Sequence, residues 1–540
     1  MGLLALRGKC HTWDRTDLPR RVFELGLSVL VGLMAGALVV FSGGLSAKWQ
    51  ELIVVVPIVV AVVLLVNDLE KVVLAAIAIG VPLNLDVSLI ISPYAHVPEN
   101  IARGHRTLAT LTELRLSLIS VLLIVGYALW LIKPRDSGHK PIRLSAGITV
   151  PALGFIFFSI LSVFRARDWQ LSMFRVVQLL EVLLAYFYLA NHLRTVQQMQ
   201  FFIMVSLGAM CAESILIIVQ WATGLEFIVA GIQAVAYGGG RVGGTLGATG
   251  PAAGYLSAQA LIACAMIWAF PKKWQRIFAA VSFGLGTIAL VGTGSRIGWI
   301  AYAVTILLYV LIGLRAGKIK RGSLLLLVVV VATVGVFFFD AIYTRYTADD
   351  RGSAEARPKM NRLAWNMIRA HPWLGVGAGN QALATREYYT PDVGDPGNIL
   401  DIQTHNQYLL VWAESGLFAL LCYVGILGGA TLKSWLSIKS DHHWISMMGT
   451  GLGCAIVSLC IQMLTGTFHM RAITLFVWLL LALAASLHNL ARDYPAYRPT
   501  VTSRDSLAER QFVVVGGGLG SSNVPGSASE HTPGGFYRNI

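Results

Sequence analysis

Apolar stretches of about twenty residues, each long enough to cross the hydrocarbon core of a bilayer, recur along the chain from residue 24 to residue 488. In lipid every backbone N–H and C=O needs an internal partner, so such stretches fold as helices and not as open strands. Composition agrees: 56% of the 540 residues are hydrophobic, 13% are charged, and the mean hydropathy is +0.66. A soluble domain carries nearer a quarter charged residues. The expected fold class is an all-α polytopic membrane protein.

The spans read as 24–44, 52–66, 72–91, 116–132, 145–164, 172–192, 200–221, 255–270, 277–293, 297–315, 324–341, 407–430, 445–467 and 473–488. The second is short, and the third holds Pro82, Asn84 and Asp86, so this pair allows a re-entrant element instead. Roughly 12 to 14 helices are therefore expected. The first run lacks a small-residue cleavage site and reads as a retained anchor.

The formal charge of +14 raises the question of nucleic acid. The basic residues sit in short loops, where membrane orientation explains them first, so no nucleic-acid partner is expected. Arg7, Lys9, Arg15, Arg20 and Arg21 place the segment 1–23 in the cytoplasm. Alternation then puts Lys133, Arg135, Lys140 and Arg143 inside, with Lys272, Lys273 and Arg276, and with Lys318, Lys320 and Arg321. The expectation is a multi-pass protein of the bacterial inner membrane, with both termini cytoplasmic and a transmembrane domain over 24–488. Residues 489–540 form a cytoplasmic tail, Gly- and Ser-rich from 503 and expected to be disordered. Two long loops, 222–254 and 342–406, fall outside; long loops are usually functional.

Several chemistries find no support. Cys211, Cys264, Cys422, Cys454 and Cys460 lie in apolar segments and Cys10 precedes the first, so no disulfide framework or metal-ligand spacing is visible. The run Val513–Gly520 lacks the last glycine of a dinucleotide fingerprint. No cofactor is expected. No internal repeat points to an inverted-repeat transporter.

Basic residues on the outer side run against the charge rule, and each asks for a reason. Arg241 lies among glycines in GGGRVGGT, where backbone can approach a ligand closely; an incidental arginine in a flexible loop is the alternative. Arg296, in GTGSRIG, is pinned at the outer surface between two spans, and a guanidinium snorkelling to headgroups is the alternative. Met360, Leu363, Ala364, Met367 and Ile368 have helical spacing, with Arg362, Asn366 and Arg369 opposite and Pro372 as a stop. This predicts an amphipathic helix that either lies on the membrane or offers an anion-binding face. His405, followed by Asn406, stands where the long loop enters the span at 407. There the helix dipole favours a neutral imidazole, the form a general base needs; a hydrogen-bonded interfacial anchor is the alternative. Arginines bind phosphate through planar bidentate donors. Arginines and a histidine on one face suit transfer from a diphosphate-linked donor to an alcohol. Outside the cell, that donor would be a lipid diphosphate.

At these residues the chain resembles the bacterial O-antigen ligase and polymerase superfamily. The resemblance is carried by GSRIG at 294–298, RLAWNMIRAHPWLGVGAG at 362–379, HNQYLL at 405–410 and ESGL at 414–417, with RVGGTLGATGPAAGYL at 241–256 resembling the loop before that core. It covers about 241–430 and implies a GT-C-like fold with a long helical periplasmic loop. It further implies a metal-independent, inverting glycosyltransferase using an undecaprenyl-diphosphate-linked oligosaccharide. Carried over, Arg241, Arg296 and Arg362 would hold the diphosphate, His405 would activate the acceptor hydroxyl, and Asn406, Arg369 and Arg175 would support them. The acceptor would be a glycan, lipid A-core or protein, with the glycine-rich Arg241 loop more similar to the polymerases. Pro251-Ala252-Ala253 departs from the Pro-Asn of many relatives. The rival reading is a lipid-linked oligosaccharide flippase or other transporter without catalysis, for which Arg175, Glu181 and Glu213 would be the intramembrane charges.

Overall fold

The computed structural model describes residues 68–83, 85–91, 113–132, 142–229, 232–234, 236–237, 240–315, 338–347, 353–394, 399–400 and 402–494, with isolated positions between 317 and 336. These fall in the first of two compact units, 1–495; the second, 496–540, lies outside the described residues. So do the expected N-terminal segment, the spans 24–44 and 52–66, half of 324–341, and the Gly/Ser-rich tail.

Among the described residues, nine helices are long and apolar enough to cross a membrane. They are α3 (Ala146–Ser162, prolonged by a 3-10 turn to Arg165), α4 (Trp169–His192), α5 (Val196–Thr223), α6 (Thr249–Ala269), α7 (Lys273–Gly292), α8 (Arg296–Arg315), α12 (Gln407–Ser437), α13 (His443–Gln462) and α14 (Arg471–Asp493). The last continues five residues past the expected boundary at 488. The chain is an all-α polytopic membrane protein, with three two-stranded antiparallel ribbons among its described loops.

The span expected at 72–91 is corrected. Helix α1 (Leu69–Leu83) stops after Pro82, and the chain turns into β1 (Asp86–Ile91), which pairs antiparallel with β2 (Glu113–Ser117) before α2 (Leu118–Ile132). Asp86 and Arg115 close the ribbon with an ion pair of 3.1 Å. Fifteen residues give each helix a length of about 22 Å, short of the roughly 30 Å hydrocarbon core.

Apolar side chains on both faces explain the bundle. Val150, Leu153, Phe157 and Ile160 form an outward stripe on α3, and Ile300, Val304, Leu307 and Leu311 another on α8. A helix hydrophobic all round suits lipid. Inside, small residues set the spacing, as is usual where no hydrophobic effect drives helices together. A methyl group at Gly451 of α13 would collide with Ala265 and the Leu261 carbonyl of α6, and one at Gly429 of α12 with the Gly147 carbonyl of α3.

The loops gather at two ends. At one end, Arg143 pairs with Asp493 and Ser440 donates to the Tyr494 carbonyl. At the other, the backbone N–H of Asp168 donates to Asn380 Oδ1 (2.8 Å), and Arg471 donates to the Arg115 carbonyl. This second end carries the described parts of 224–248 and 338–406, with 293–295 and 463–470, and it holds the candidate site.

Candidate active site

His405 is fixed from both sides in sequence. Asn406, the cap of α12, accepts the Tyr408 and Leu409 N–H groups on Oδ1 at 3.0 and 3.1 Å, which is what an N-cap asparagine does. Gln407 N–H donates to the Met463 carbonyl (2.9 Å), and Gln407 Oε1 accepts the Phe468 N–H (2.8 Å). The turn 463–470 is thereby stitched to the start of α12. On the other flank, Thr404 donates through Oγ1 to Asn361 Oδ1 (2.9 Å) and through its N–H to Gln381 Oε1 (3.1 Å).

Arg241 sits on a short ribbon, β5 (Ala236–Tyr237) with β6 (Arg241–Val242), and its Nη2 donates to Thr249 Oγ1 at the start of α6 (2.9 Å). Glu213 of α5 secures this loop, accepting the Thr245 N–H (2.8 Å) and the Thr245 hydroxyl (2.6 Å). Gly294, at φ +62°, packs against the Arg241 side chain so closely that a methyl there would strike Cγ. Arg296 opens α8, and its Nη2 donates to the Arg345 carbonyl (2.8 Å), while Arg345 Nε donates to the Gly294 carbonyl (3.1 Å). Arg345 belongs to α9 (Phe339–Thr347).

These groups share one cavity of about 300 Å³. Arg241, Arg296, Arg345 and Arg357 line it with His405 and His469, and its described lining holds no carboxylate. The first turns of α6 and α8 also border it, and helix N-termini favour anions. His405 is held below the ordinary histidine range, first by burial and then by Arg357. His469, buried in the turn between α13 and α14, is pushed down to about 3 by burial, with Arg175 and His405 adding to it. Both imidazoles are neutral near pH 7. Among the described residues, no group of three or more His, Cys, Asp or Glu is placed to hold a metal.

The amphipathic helix is α10 (Ser353–Ala370). Its apolar face is fully formed, and it is covered by protein. Leu363, Ala364 and Met367 are 0% exposed, packed in clusters with Val376, Val393, Ile399 and Ala413. Arg362, expected among the diphosphate ligands, does not line the cavity: its Nη1 donates to the Asp392 carbonyl (2.8 Å) on an exposed face. Arg357 lines the cavity instead. Five residues separate the two, which on an α-helix is about 140° of rotation, so both cannot face one site. Arg369 is likewise exposed, its guanidinium 5.8 Å from the Trp365 ring centre.

The three intramembrane charges are engaged with protein groups. Arg175 Nη1 donates to the His469 carbonyl and to Gln178 Oε1, both at 3.3 Å. Glu181 pairs with Arg471, and Glu213 holds Thr245. The sequence reasoning missed Arg345, Arg357 and His469. For the two arginines a signal existed, since both are basic residues in the segment assigned outside and break the charge rule as Arg296 does.

Residues 281–424 match a family model described as O-antigen ligase. Over these residues the chain is similar to the O-antigen ligase family. No curated protein matches the chain. The matched region contains Arg296, Arg345, Arg357 and His405, whereas Arg241 and His469 reach the cavity from outside it. The match supports glycosyl transfer of the ligase or polymerase type in general, with lipid-linked polysaccharide and an acceptor as the substrate classes.

Proposed function

We propose that this protein transfers a glycan from an undecaprenyl-diphosphate donor to an acceptor hydroxyl at the external face of the inner membrane, in O-antigen or exopolysaccharide assembly. The observation that carries the reading is the cavity wall: four arginines, no carboxylate in the described lining, and a neutral histidine beside them. A diphosphate leaving group carries the charge that such a wall is built to receive.

In the proposed step, His405 takes the proton from the acceptor hydroxyl as its oxygen attacks the anomeric carbon. The new C–O bond forms while the bond from that carbon to the diphosphate oxygen breaks. The electron pair leaves with the diphosphate, held by Arg241, Arg296, Arg345 and Arg357. The described lining offers no carboxylate to form a glycosyl-enzyme, which favours a single displacement with inversion. The arginines supply the charge stabilisation themselves, so the mechanism requires no metal. Arg362 braces α10 against the Asp392 carbonyl in this scheme. The paired state of Arg175, Glu181 and Glu213 favours transfer over a carrier path. The acceptor is a second lipid-linked glycan or lipid A-core.

The test is a purified protein in liposomes with a synthetic polyprenyl-diphosphate oligosaccharide and a saccharide acceptor, followed by product analysis. Transfer should persist with a chelator present. Arg241→Lys and Arg296→Lys keep the charge and lose the planar fork, and each should slow transfer at least about tenfold. Full activity in both would remove the diphosphate from this cavity.

A further inference from the structure

The turn 463–470 brings to the cavity polar atoms that the protein itself does not satisfy. His469 is 7% exposed, it lines the cavity, and neither of its ring nitrogens has a hydrogen-bond partner. Thr465 Oγ1, on the same turn and the same wall, is buried and equally unpaired. Buried polar atoms are nearly always partnered, and leaving one unpaired is costly. Three such atoms on one eight-residue turn therefore point to a ligand.

The turn is also held firmly. Gln407 grips it at Met463 and Phe468, and Thr474 Oγ1 donates to the Phe468 carbonyl (2.6 Å). From behind, Arg175 donates to the carbonyl of His469 itself. The guanidinium is thus spent on fixing the backbone under the imidazole, while the ring is left to the cavity. His469 stays neutral in these surroundings, and a neutral imidazole offers one donor and one acceptor. That pair does not match a diphosphate, which has only acceptors, but it does match a hydroxyl.

We infer that His469 is a binding residue for a hydroxyl of the sugar that the donor diphosphate carries. The inference rests on the glycosyl-transfer reading above. The sugar is bonded directly to the diphosphate. In a cavity of about 300 Å³, a group sharing walls with the arginines meets that sugar before any other part of the substrate. His469 thereby gives the site a means of telling a glycosylated lipid from a bare one, which the arginines alone do not have.

The test measures binding by the full-length protein in nanodiscs to two probes, a polyprenyl diphosphate bearing a saccharide and the same lipid without it. The wild type should prefer the glycosylated probe by roughly tenfold, the worth of one or two neutral hydrogen bonds. His469→Phe keeps the ring volume and removes both nitrogens, so it should bind the two probes alike, with its affinity for the bare lipid unchanged. His469→Gln, able to donate and accept, should keep part of the preference. A Phe variant that still prefers the glycosylated probe overturns the inference. So does a loss of bare-lipid binding in both variants, which would make His469 a structural residue. A wild type that binds neither probe would instead refute the transferase reading itself.

Discussion

Replacing Arg357 and Arg362 by alanine, separately, sets structure against sequence pattern on one helix. Arg362 makes one hydrogen bond of 2.8 Å to a neutral carbonyl on an exposed surface. Its loss should cost about 1 kcal/mol of stability or less and leave transfer nearly untouched. Arg357 lines the cavity and contributes to holding His405 neutral. A hydrogen bond from a guanidinium to a charged phosphate is worth about 1.5–3 kcal/mol, so Arg357→Ala should weaken donor binding by about 10- to 150-fold. The assay is donor affinity together with kcat and KM on the reconstituted protein, alongside thermal unfolding of each variant. Removing a positive neighbour should also raise the His405 pKa, so the acid limb of kcat/KM should move to higher pH in Arg357→Ala alone. If Arg362→Ala loses donor affinity and Arg357→Ala does not, the placement of α10 over the site is wrong.

His405→Gln keeps a hydrogen-bonding group but no base. It should lower kcat by about 10²–10⁴-fold with donor affinity preserved, and an active Gln variant in a purified assay would show that His405 only orients the acceptor. Both His405 and His469 titrate below their unfolded values, so between about pH 6.5 and 3 the unfolded chain binds more protons than the folded one. Stability from these groups is therefore complete above the unfolded pKa and is lost as pH falls. The acid limb of kcat/KM should have its midpoint below 6.5, and a midpoint above that value would mean that His405 is not the base. Glu213→Ala leaves the buried Thr245 N–H without its acceptor, at a cost of about 1–3 kcal/mol, and frees the loop bearing Arg241. Donor affinity should fall severalfold while kcat at saturating donor stays near wild type; an unchanged affinity would mean the loop is held by other contacts.

The bundle was legible because lipid imposes one rule on every span. Apolar length alone located nine helices, with their ends placed to within seven residues. The break at 84–91 was foreshadowed by Pro82, Asn84 and Asp86, but pairing with residues 113–117 was not, since a ribbon between distant segments leaves no local period. The α10 pattern identified every buried position from Met360 to Ile368. It could not say what covered them, because an apolar stripe reads alike against lipid or protein. The same limit explains Arg362: the polar face was correctly found, but which part of it meets the cavity depends on how α10 packs on Ala413 and Val376. His469 was out of reach, since its isolation from partners is a property of the folded turn.

Helix α12 is interrupted at Gly416, where φ is +84° and ψ 177°. Across the gap the loop enters the helix: Val376 and Gly377 donate their N–H groups to the Ala413 and Glu414 carbonyls at 2.8 and 3.0 Å, and Leu417 donates to the Pro372 carbonyl at 2.9 Å. The loop is thus bonded on both sides of the break, to the outer piece, 407–415, through Ala413 and Glu414, and to the inner piece, 417–437, through Leu417. Transmembrane helices change tilt when the bilayer thins or thickens. In this protein the 372–377 loop spans the break at Gly416, so a tilt of the inner piece would be passed through Leu417 and Pro372 to the loop and to the outer piece that begins beside His405. The break is therefore a splice, with the loop taking the hydrogen bonds that an unbroken helix would make within itself.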